Sequence, residues 1–287
     1  MTRGQARAGW FLLTPALLHS TIFITVPTFA AIFLSLTNYD FGGDWEWIGI
    51  DNYVELFRDA AFLKAFTNTV VYAVVVVPVA MALALTVALG LNQKIRGLAI
   101  FRTAFYIPTV TATVAVATVW LWIYNPGSGL ANGFLGLFGF GPSQWLTSPD
   151  TALPSIITVG IWQGLGAKMI IYLAALQGVS TELVEAATLD GANRWQVFRH
   201  VTWPSIAPAQ FFVLITSIVG TFQVYDLVYV MTQGGPGGAT NVLVFDIYQH
   251  AFQGLRLGYA SAETVIMILL ISAFIALGAK LQGAGKK

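Results

Sequence analysis

The 287-residue sequence contains no cysteine, and only 9% of its residues are charged. Without cysteine the chain has no disulfide, no thiolate metal ligand and no cysteine nucleophile. Soluble domains carry roughly a quarter of their residues as charged side chains, so 14 basic and 13 acidic residues are too few to cover a soluble protein of this length. The formal net charge of +1 also argues against a nucleic-acid partner. What remains is a polytopic membrane protein.

Hydrophobic residues make up 56% of the chain and are concentrated in long runs. Runs of roughly 20 apolar residues are the signature of helices that cross a bilayer. Six such runs predict an all-α protein with six transmembrane helices, forming a single transmembrane domain over residues 1–287. The predicted spans are Trp10–Leu36, Asn68–Leu91, Phe105–Tyr124, Leu153–Leu176, Ala207–Met231 and Ala262–Leu281.

The distribution of basic residues predicts the orientation of these spans. Lys and Arg are enriched in cytoplasmic loops. With the N-terminus inside, only Arg58, Lys64 and Arg256 fall outside. We therefore expect both termini in the cytoplasm. The ten basic residues on that side are Arg3, Arg7, Lys94, Arg96, Arg102, Arg194, Arg199, Lys280, Lys286 and Lys287.

The cytoplasmic loop from residue 180 to residue 208 is the longest inner loop and has an ordered pattern. Residues 182–189 predict a short helix, and Gly191 follows where a helix end favours a positive φ. Residues 195–201 predict a second amphipathic helix, which Pro204 is expected to end. Two short helices joined by a glycine predict a compact elbow that docks a partner. The alternative is that its charges only solvate the loop.

This loop resembles the cytoplasmic loop of ABC-importer permeases through the spacing EAA-x3-G-x9-aliphatic-x-x-P. Asp190 and the segment TQGGPGG, which begins at Thr232, are similar to the carbohydrate-uptake subfamily. Trp203 stands where that family usually has Leu. The motif positions are Glu185, Ala186, Ala187, Gly191, Val201 and Pro204.

The resemblance implies an importer with two separate ATPase subunits, one of which docks on the elbow, where Glu185 and Asp190 offer charge and Ala186 and Ala187 allow close approach. ATP and Mg would be bound by those subunits, so no cofactor is expected in this chain. The resemblance also implies a second, related permease subunit, an extracytoplasmic solute-binding protein and a sugar substrate. The expected location is the cytoplasmic (inner) membrane of a prokaryote, among lipids.

Two ionisable residues fall inside predicted spans, Lys168 in the fourth and Asp226 in the fifth. Such residues are costly in a bilayer and are functional-site candidates by default. Lys168 shares a helix face with Gly160, Gln163, Gly164 and Ala167, although small residues also serve helix packing. For Asp226 a structural role, or contact with interfacial water, is an equal alternative.

The resemblance also assigns residues to a substrate pathway. An oligosaccharide permease of this family lines its sugar site with positions that fall on three of the predicted spans here. Neutral amides and hydroxyls suit a sugar, and an aromatic ring such as Trp162 can cover its apolar face. The pathway residues implied by the resemblance are Thr109, Thr113, Trp162, Gln163, Gly164, Ala167, Ser217, Gly220 and Thr221. We add Gln223 and Asp226, which lie nearby, and Lys168, which is ionisable within a span.

Other functions remain as alternatives. Lys168 keeps open the import of glycerol-3-phosphate or a polyol by the same architecture. A self-sufficient secondary transporter or a membrane-embedded enzyme would need Lys168 and Asp226 as an acid–base pair, and would leave the elbow unexplained. His19, His200 and His250 lie on different segments with no metal or catalytic motif. We therefore expect neither an enzyme nor a metal site.

Overall fold

The computed structural model describes residues 3–93 and 96–284; Lys94, Lys286 and Lys287 of the orientation argument lie outside them. The all-α prediction is confirmed, because the described residues form helices and a single isolated bridge between Thr37 and Trp47. In chain order the helices are α1 (Arg3–Ser20), α2 (Val26–Leu34), α3 (Asp51–Leu56), α4 (Ala60–Leu91), α5 (Leu98–Val110), α6 (Thr113–Ile123), α7 (Leu130–Leu137), α8 (Pro149–Gln177), α9 (Thr181–Leu189), α10 (Arg194–Val197), α11 (Trp203–Ser205), α12 (Ala207–Thr221), α13 (Tyr225–Met231), α14 (Leu243–Tyr248) and α15 (Leu257–Ala284).

Shorter segments complete these helices. Three π-helical segments, Thr21–Thr25, Phe198–Thr202 and Gln249–Gln253, join α1 to α2, join α10 to α11, and follow α14. A 3₁₀ turn covers Trp145–Thr147. Five helices in the described chain are long and apolar enough to cross a membrane, or six if α5 and α6 together form one span.

The third predicted span, Phe105–Tyr124, is not a continuous helix. It is divided between α5 and α6, which meet at an angle of 100°. Thr111 and Ala112 between them have ψ values of 136° and 130°, outside the helical range. The side-chain amide of Gln163 lies 3.5 Å from the carbonyl of Thr111, which the break leaves free. Hydropathy did not reveal this break because the apolar run continues through it.

One compact unit contains Lys64–Phe245 and Leu270–Lys287. Its core joins α4 and α8 through side chains spaced three and four residues apart on each helix, as expected for facing helices. Ile206 and Val213 extend the same core toward α12. The contributing residues of α4 and α8 are Ala84, Leu85, Ala88 and Leu91, with Met169, Tyr172, Leu173 and Leu176.

The other unit contains Met1–Leu63 and Asp246–Leu269. The buried amide of Asn52 donates hydrogen bonds to the carbonyls of Ser35 (2.9 Å) and Thr37 (2.8 Å), which fixes α3 against the end of α2. Gly258 lies directly against the carbonyl of Thr37, and a Cβ there would collide with it. The first span differs from these elements, because none of its most apolar 18-residue window within Trp10–Leu34 is buried.

Candidate functional site

The elbow predicted from the loop motif begins with α9. Ser180 caps this helix, because its Oγ accepts a hydrogen bond from the N–H of Leu183 (3.3 Å). The hydroxyl of Ser180 also donates to the Glu182 carboxylate, and this bond lowers the pKa of Glu182. A charged carboxylate in the first turn favours the helix through its dipole. The short helix predicted over residues 182–189 is confirmed.

The turn after α9 is closed by Gly191. Its φ is +84°, which confirms the positive value predicted from the sequence. The N–H of Ala192 donates to the carbonyl of Ala187 and the N–H of Gly191 to that of Thr188, both at 3.0 Å. This pair of bonds is a Schellman motif, which requires a left-handed residue at the position of Gly191. Asp190 is the C-cap and is exposed.

The second helix of the elbow extends further than predicted. Asn193 and Gln196 form a reciprocal capping box at its start. Pro204 was expected to end the helix, but it lies inside α11, which continues to Ser205. The N–H of Trp203 bonds to the carbonyl of Phe198, five residues back. This wider π turn accommodates a proline that has no N–H to donate.

The surface of the elbow is both apolar and acidic. Leu189 and Trp195 are 89% and 64% exposed, and Leu183 is 56% exposed. Glu185 and Ala186 are exposed beside them, whereas Ala187 and Val201 are half-buried. Large apolar side chains held on an ordered surface indicate an interaction site.

The elbow is fixed to the helical core at its end. Ile206, which follows α11 directly, is 1% exposed and belongs to the core of α4 and α8. Phe198 packs against the same core from the π segment and contacts the rings of Trp195 and Trp203, with centroids 5.6 and 5.9 Å away. The elbow is therefore packed directly against the core of these helices.

A second group of predicted residues meets where α5 and α6 join. The Thr109 hydroxyl donates to the carbonyl of Gln163 (2.8 Å), and the Gln163 amide donates to the Thr113 hydroxyl (3.2 Å). Gly166, which the sequence analysis did not single out, permits this contact. A Cβ there would lie 2.7 Å from Thr109 Oγ1 and would collide with the carbonyl of Phe105. The two glycines at positions 164 and 166 were the feature of the sequence that could have indicated this close approach of α5 to α8.

The other predicted residues of α8 lie close to Gln163, within residues 162–168 of the helix. The Lys168 ammonium bends back to the carbonyl of Gly164 (3.0 Å), and Ala167 is half-buried. Trp162 is 43% exposed and meets Trp120 edge-on, with centroids 5.6 Å apart. Together with Thr109, Thr113 and Gln163, these residues form a partly open surface, which we call the polar face.

The predicted residues of α12 and α13 divide into two groups. Ser217 and Thr221 are 4% and 5% exposed, and the Thr221 hydroxyl donates to the carbonyl of Ile218 in its own helix (2.6 Å). They are packed inside the unit. Gly220, Gln223 and Asp226 are exposed. Of the predicted pathway residues in this region, three are therefore exposed on the surface and the two with hydroxyl groups are buried.

Two cavities occur in the described part of this unit. A groove of about 1270 Å³ lies among α4, α12 and α15, and Phe198, Trp203 and Pro204 of the elbow also line it. A smaller cavity of about 480 Å³ lies near Tyr124, Thr147 and Pro236. None of the predicted pathway residues lines either cavity. Within the polar face, Trp162 is exposed, whereas Gln163, Ala167 and Lys168 are half-buried.

Residues 80–283 match the family described as "Binding-protein-dependent transport system inner membrane component". The chain belongs to this family, and it is a multi-pass inner-membrane permease of a prokaryotic ABC importer. The recognition made from the loop motif, the importer-permease fold and the membrane location are thereby confirmed.

Three comparisons illustrate the relationship. The probable ABC transporter permease protein YurN of Bacillus subtilis is 35% identical, with 97% of each chain covered. The sn-glycerol-3-phosphate transport system permease protein UgpA of Pectobacterium atrosepticum is 32% identical over 94% of this chain and 93% of that one. A bacterial ABC transporter involved in the import of the acidic polysaccharide alginate has the same fold, with a TM-score of 0.83, 24% identity and coverage of 99% and 98%.

Proposed function

We propose that this chain is one of two permease subunits of an ATP-driven importer for a sugar or oligosaccharide, and that ATPase subunits dock on its elbow. The observation that carries the proposal is the elbow, which is capped at both helices, exposes Leu189 and Trp195, and joins the core through Ile206. A surface that is both exposed and anchored suits the transfer of movement from a partner.

The ATPase subunits bind ATP and Mg in this proposal, and their contact surface is basic and apolar. Glu185 and Asp190 supply the complementary charge, and the absence of long side chains at Ala186 and Ala187 permits close helix packing. A solute-binding protein delivers the substrate on the opposite side of the membrane, as the family description suggests.

We infer a second permease subunit because this chain leaves several of the predicted pathway residues uncovered. Trp162, Gly220 and Gln223 are exposed, and a substrate site buries most of its ligand. The first span also has no buried residue in its most apolar window, which leaves its surface available to another chain or to lipid. We infer that the second subunit closes the pathway opposite the polar face.

The chemistry of the polar face favours a hydroxyl-rich substrate. Its hydrogen-bonding groups include the neutral side chains Gln163 and Thr113, and Trp162 offers an exposed ring. Neutral amides and hydroxyls bind sugar hydroxyls, while an aromatic ring covers the apolar face of a pyranose.

The experiment is purification of the tagged chain from membranes of its native host, followed by reconstitution in proteoliposomes. We expect an ATPase and a second permease to co-purify, and ATP hydrolysis to rise when a sugar-loaded binding protein is added. A Glu185→Lys chain, assembled in the same way, serves as the matched control for coupling. Substrate uptake by the isolated chain without ATP would contradict the proposal.

Import of glycerol-3-phosphate is a second candidate, favoured by Lys168 on the polar face and by the name of the relative UgpA. The substitution Lys168→Met separates the two. For a neutral sugar we expect uptake to change by about twofold or less. For a phosphate ester the loss of a charge-assisted bond lowers uptake about tenfold or more. Parallel uptake of labelled sugar and labelled glycerol-3-phosphate measures both.

A further inference from the structure

Three ionisable side chains outside the elbow and the polar face meet in the unit that contains Asp246–Leu269. They are Asp246 on α14, His250 in the following π segment and Glu263 on α15. One ligand atom from each lies within 4.8 Å of the other two. His250 Nδ1 is 3.0 Å from Glu263 Oε1 and 4.0 Å from Asp246 Oδ2.

The carboxylates of this group are deeply buried. Asp246 is 2% exposed and Glu263 is fully buried, while the His250 side chain retains 23% exposure. In the described part of the chain, Glu263 Oε2 has no hydrogen-bond partner. A buried carboxylate oxygen that accepts no bond from an N–H or hydroxyl group is costly, and a bound cation is one way to satisfy it.

The charges of the group sum to −2 when both carboxylates are ionised and the imidazole is neutral. A protonated His250 would balance only one of them. Arg256 follows in sequence, but its guanidinium makes two hydrogen bonds with the Glu55 carboxylate, at 2.8 and 2.9 Å. The neighbouring hydroxyl of Tyr259 donates to Asp59 (2.9 Å). The Arg256 guanidinium and the Tyr259 hydroxyl are therefore bonded to other carboxylates, those of Glu55 and Asp59.

We propose that Asp246, His250 and Glu263 bind a divalent transition-metal ion, Zn²⁺ in the first instance. One imidazole and two carboxylates are a ligand set that zinc accepts, and a doubly positive ion matches the charge of the group. Zinc ligands lie about 2.0–2.2 Å from the ion, so ligand atoms in a tetrahedral site are about 3.3 Å apart. The distance between His250 Nδ1 and Glu263 Oε1, 3.0 Å, is close to this value, and the 4.0 Å between His250 Nδ1 and Asp246 Oδ2 would have to shorten.

The site ties the segment after α14 to the first turns of α15. His250 is already oriented for this role, because its ring packs edge-on against Tyr259 with centroids 4.8 Å apart. The sequence predicted no metal site, because the three histidines lie on separate segments. The ligands here are instead one histidine, the aspartate four residues before it and a glutamate thirteen residues after it. The inference does not depend on the transported substrate.

The test uses the full-length protein in nanodiscs, purified with a tag that contains no histidine and stripped with a chelator. After incubation with Zn²⁺ and dialysis, elemental analysis is expected to find one zinc per chain. X-ray absorption is expected to show only nitrogen and oxygen ligands at about 2.0–2.1 Å. Added Zn²⁺ is expected to raise the thermal unfolding midpoint of the wild-type protein.

Glu263→Gln keeps the shape of the side chain and is expected to lower the zinc affinity about 100-fold or more, since changes outside the ligand set already cost about 10–100-fold. Its unfolding midpoint should no longer respond to zinc. His19→Gln removes an exposed histidine and is the matched control, expected to bind one zinc like the wild type. A wild-type chain that binds no zinc would overturn the proposal, as would unchanged binding in Glu263→Gln. The X-ray absorption result needs no variant and decides the case if Glu263→Gln does not fold.

Discussion

The elbow and the polar face achieve order in different ways. Every capping bond of the elbow joins residues no more than five positions apart, including the pair from Ala192 to Ala187. The bond between Thr109 and Gln163 joins residues 54 positions apart and depends on the approach of α5 to α8 at Gly166. The geometry of the elbow is thus determined within one contiguous segment. The geometry of the polar face depends on contacts between distant helices and, in our proposal, on a second subunit.

The strongest test of this difference is Gly191→Pro. Proline is confined to φ near −65°, so it cannot adopt +84°, and it removes the N–H that bonds to Thr188. We expect the elbow geometry to be destabilised by about 3 kcal/mol or more, and ATP-driven uptake to fall about 100-fold while membrane insertion persists. Uptake in vesicles, normalised to the amount of inserted protein, measures the effect.

Gly139→Pro is the matched control. Gly139 also has a positive φ, +77°, and its N–H also bonds to a carbonyl three residues back. It lies outside the elbow, so the same backbone strain should leave coupling intact. Equal loss of uptake in both variants would show that the elbow has no special role.

Glu185→Lys tests the charge of the elbow without altering its backbone. Glu185 is exposed on α9, and reversing a charge that a partner pairs with costs about 2 kcal/mol or more, or roughly 30-fold in docking affinity. Sugar-stimulated ATP hydrolysis by the assembled importer is expected to fall accordingly. Asp44→Lys, which reverses an exposed charge outside the elbow, is the control. A larger loss in the control would place the docking charge elsewhere.

The polar face should respond more weakly, because each of its bonds contributes little alone. Gln163→Ala and Thr113→Ala each remove the 3.2 Å bond between these side chains. We expect each substitution to raise the KM for uptake about threefold to tenfold. Because both remove the same bond, the KM of the double variant should be only slightly higher than that of either single variant. Thr118→Ala, whose hydroxyl bonds only within its own helix, is the control. Strictly additive effects would show that the two side chains act independently.

The contrast also explains what could be predicted from the sequence. Gly191, the short helix before it and the approximate positions of the spans follow from local rules for caps and hydropathy, and they were predicted. The lengths were less accurate, since α4 and α15 are each eight residues longer than the predicted second and sixth spans. The continuation of the helix past Pro204 was not, because a π turn at Phe198–Thr202 alters the usual effect of proline. The 100° break between α5 and α6 was missed because its residues are as apolar as a continuous span.

The site residues show the same limit. Thr109, Thr113 and Gln163 were named through a resemblance, and the structure brings them together. The burial of Ser217 and Thr221 could not be predicted, because the face of α12 that turns inward depends on its contacts with other helices. Glu263 and His250 are brought together only by the tertiary structure. Their separation in the sequence matches no metal-binding motif, so the group could not be predicted from it.

The smallest effect on transport is expected for a substitution at Gly160. This substitution tests whether Gly160 serves the packing of α8 or belongs to the substrate pathway. Sequence analysis placed small residues on one helix face, but a Cβ at Gly160 would collide with the Tyr72 hydroxyl of α4. Gly160→Ala should therefore lower the stability by about 1–3 kcal/mol through overpacking, with the KM unchanged. Tyr72→Phe removes the colliding oxygen and should restore most of the stability in the double variant. Thermal unfolding and uptake, measured on the same preparations, give both values. A raised KM in Gly160→Ala that Tyr72→Phe does not reverse would instead place Gly160 in the substrate pathway, and would extend the polar face a full turn along the helix.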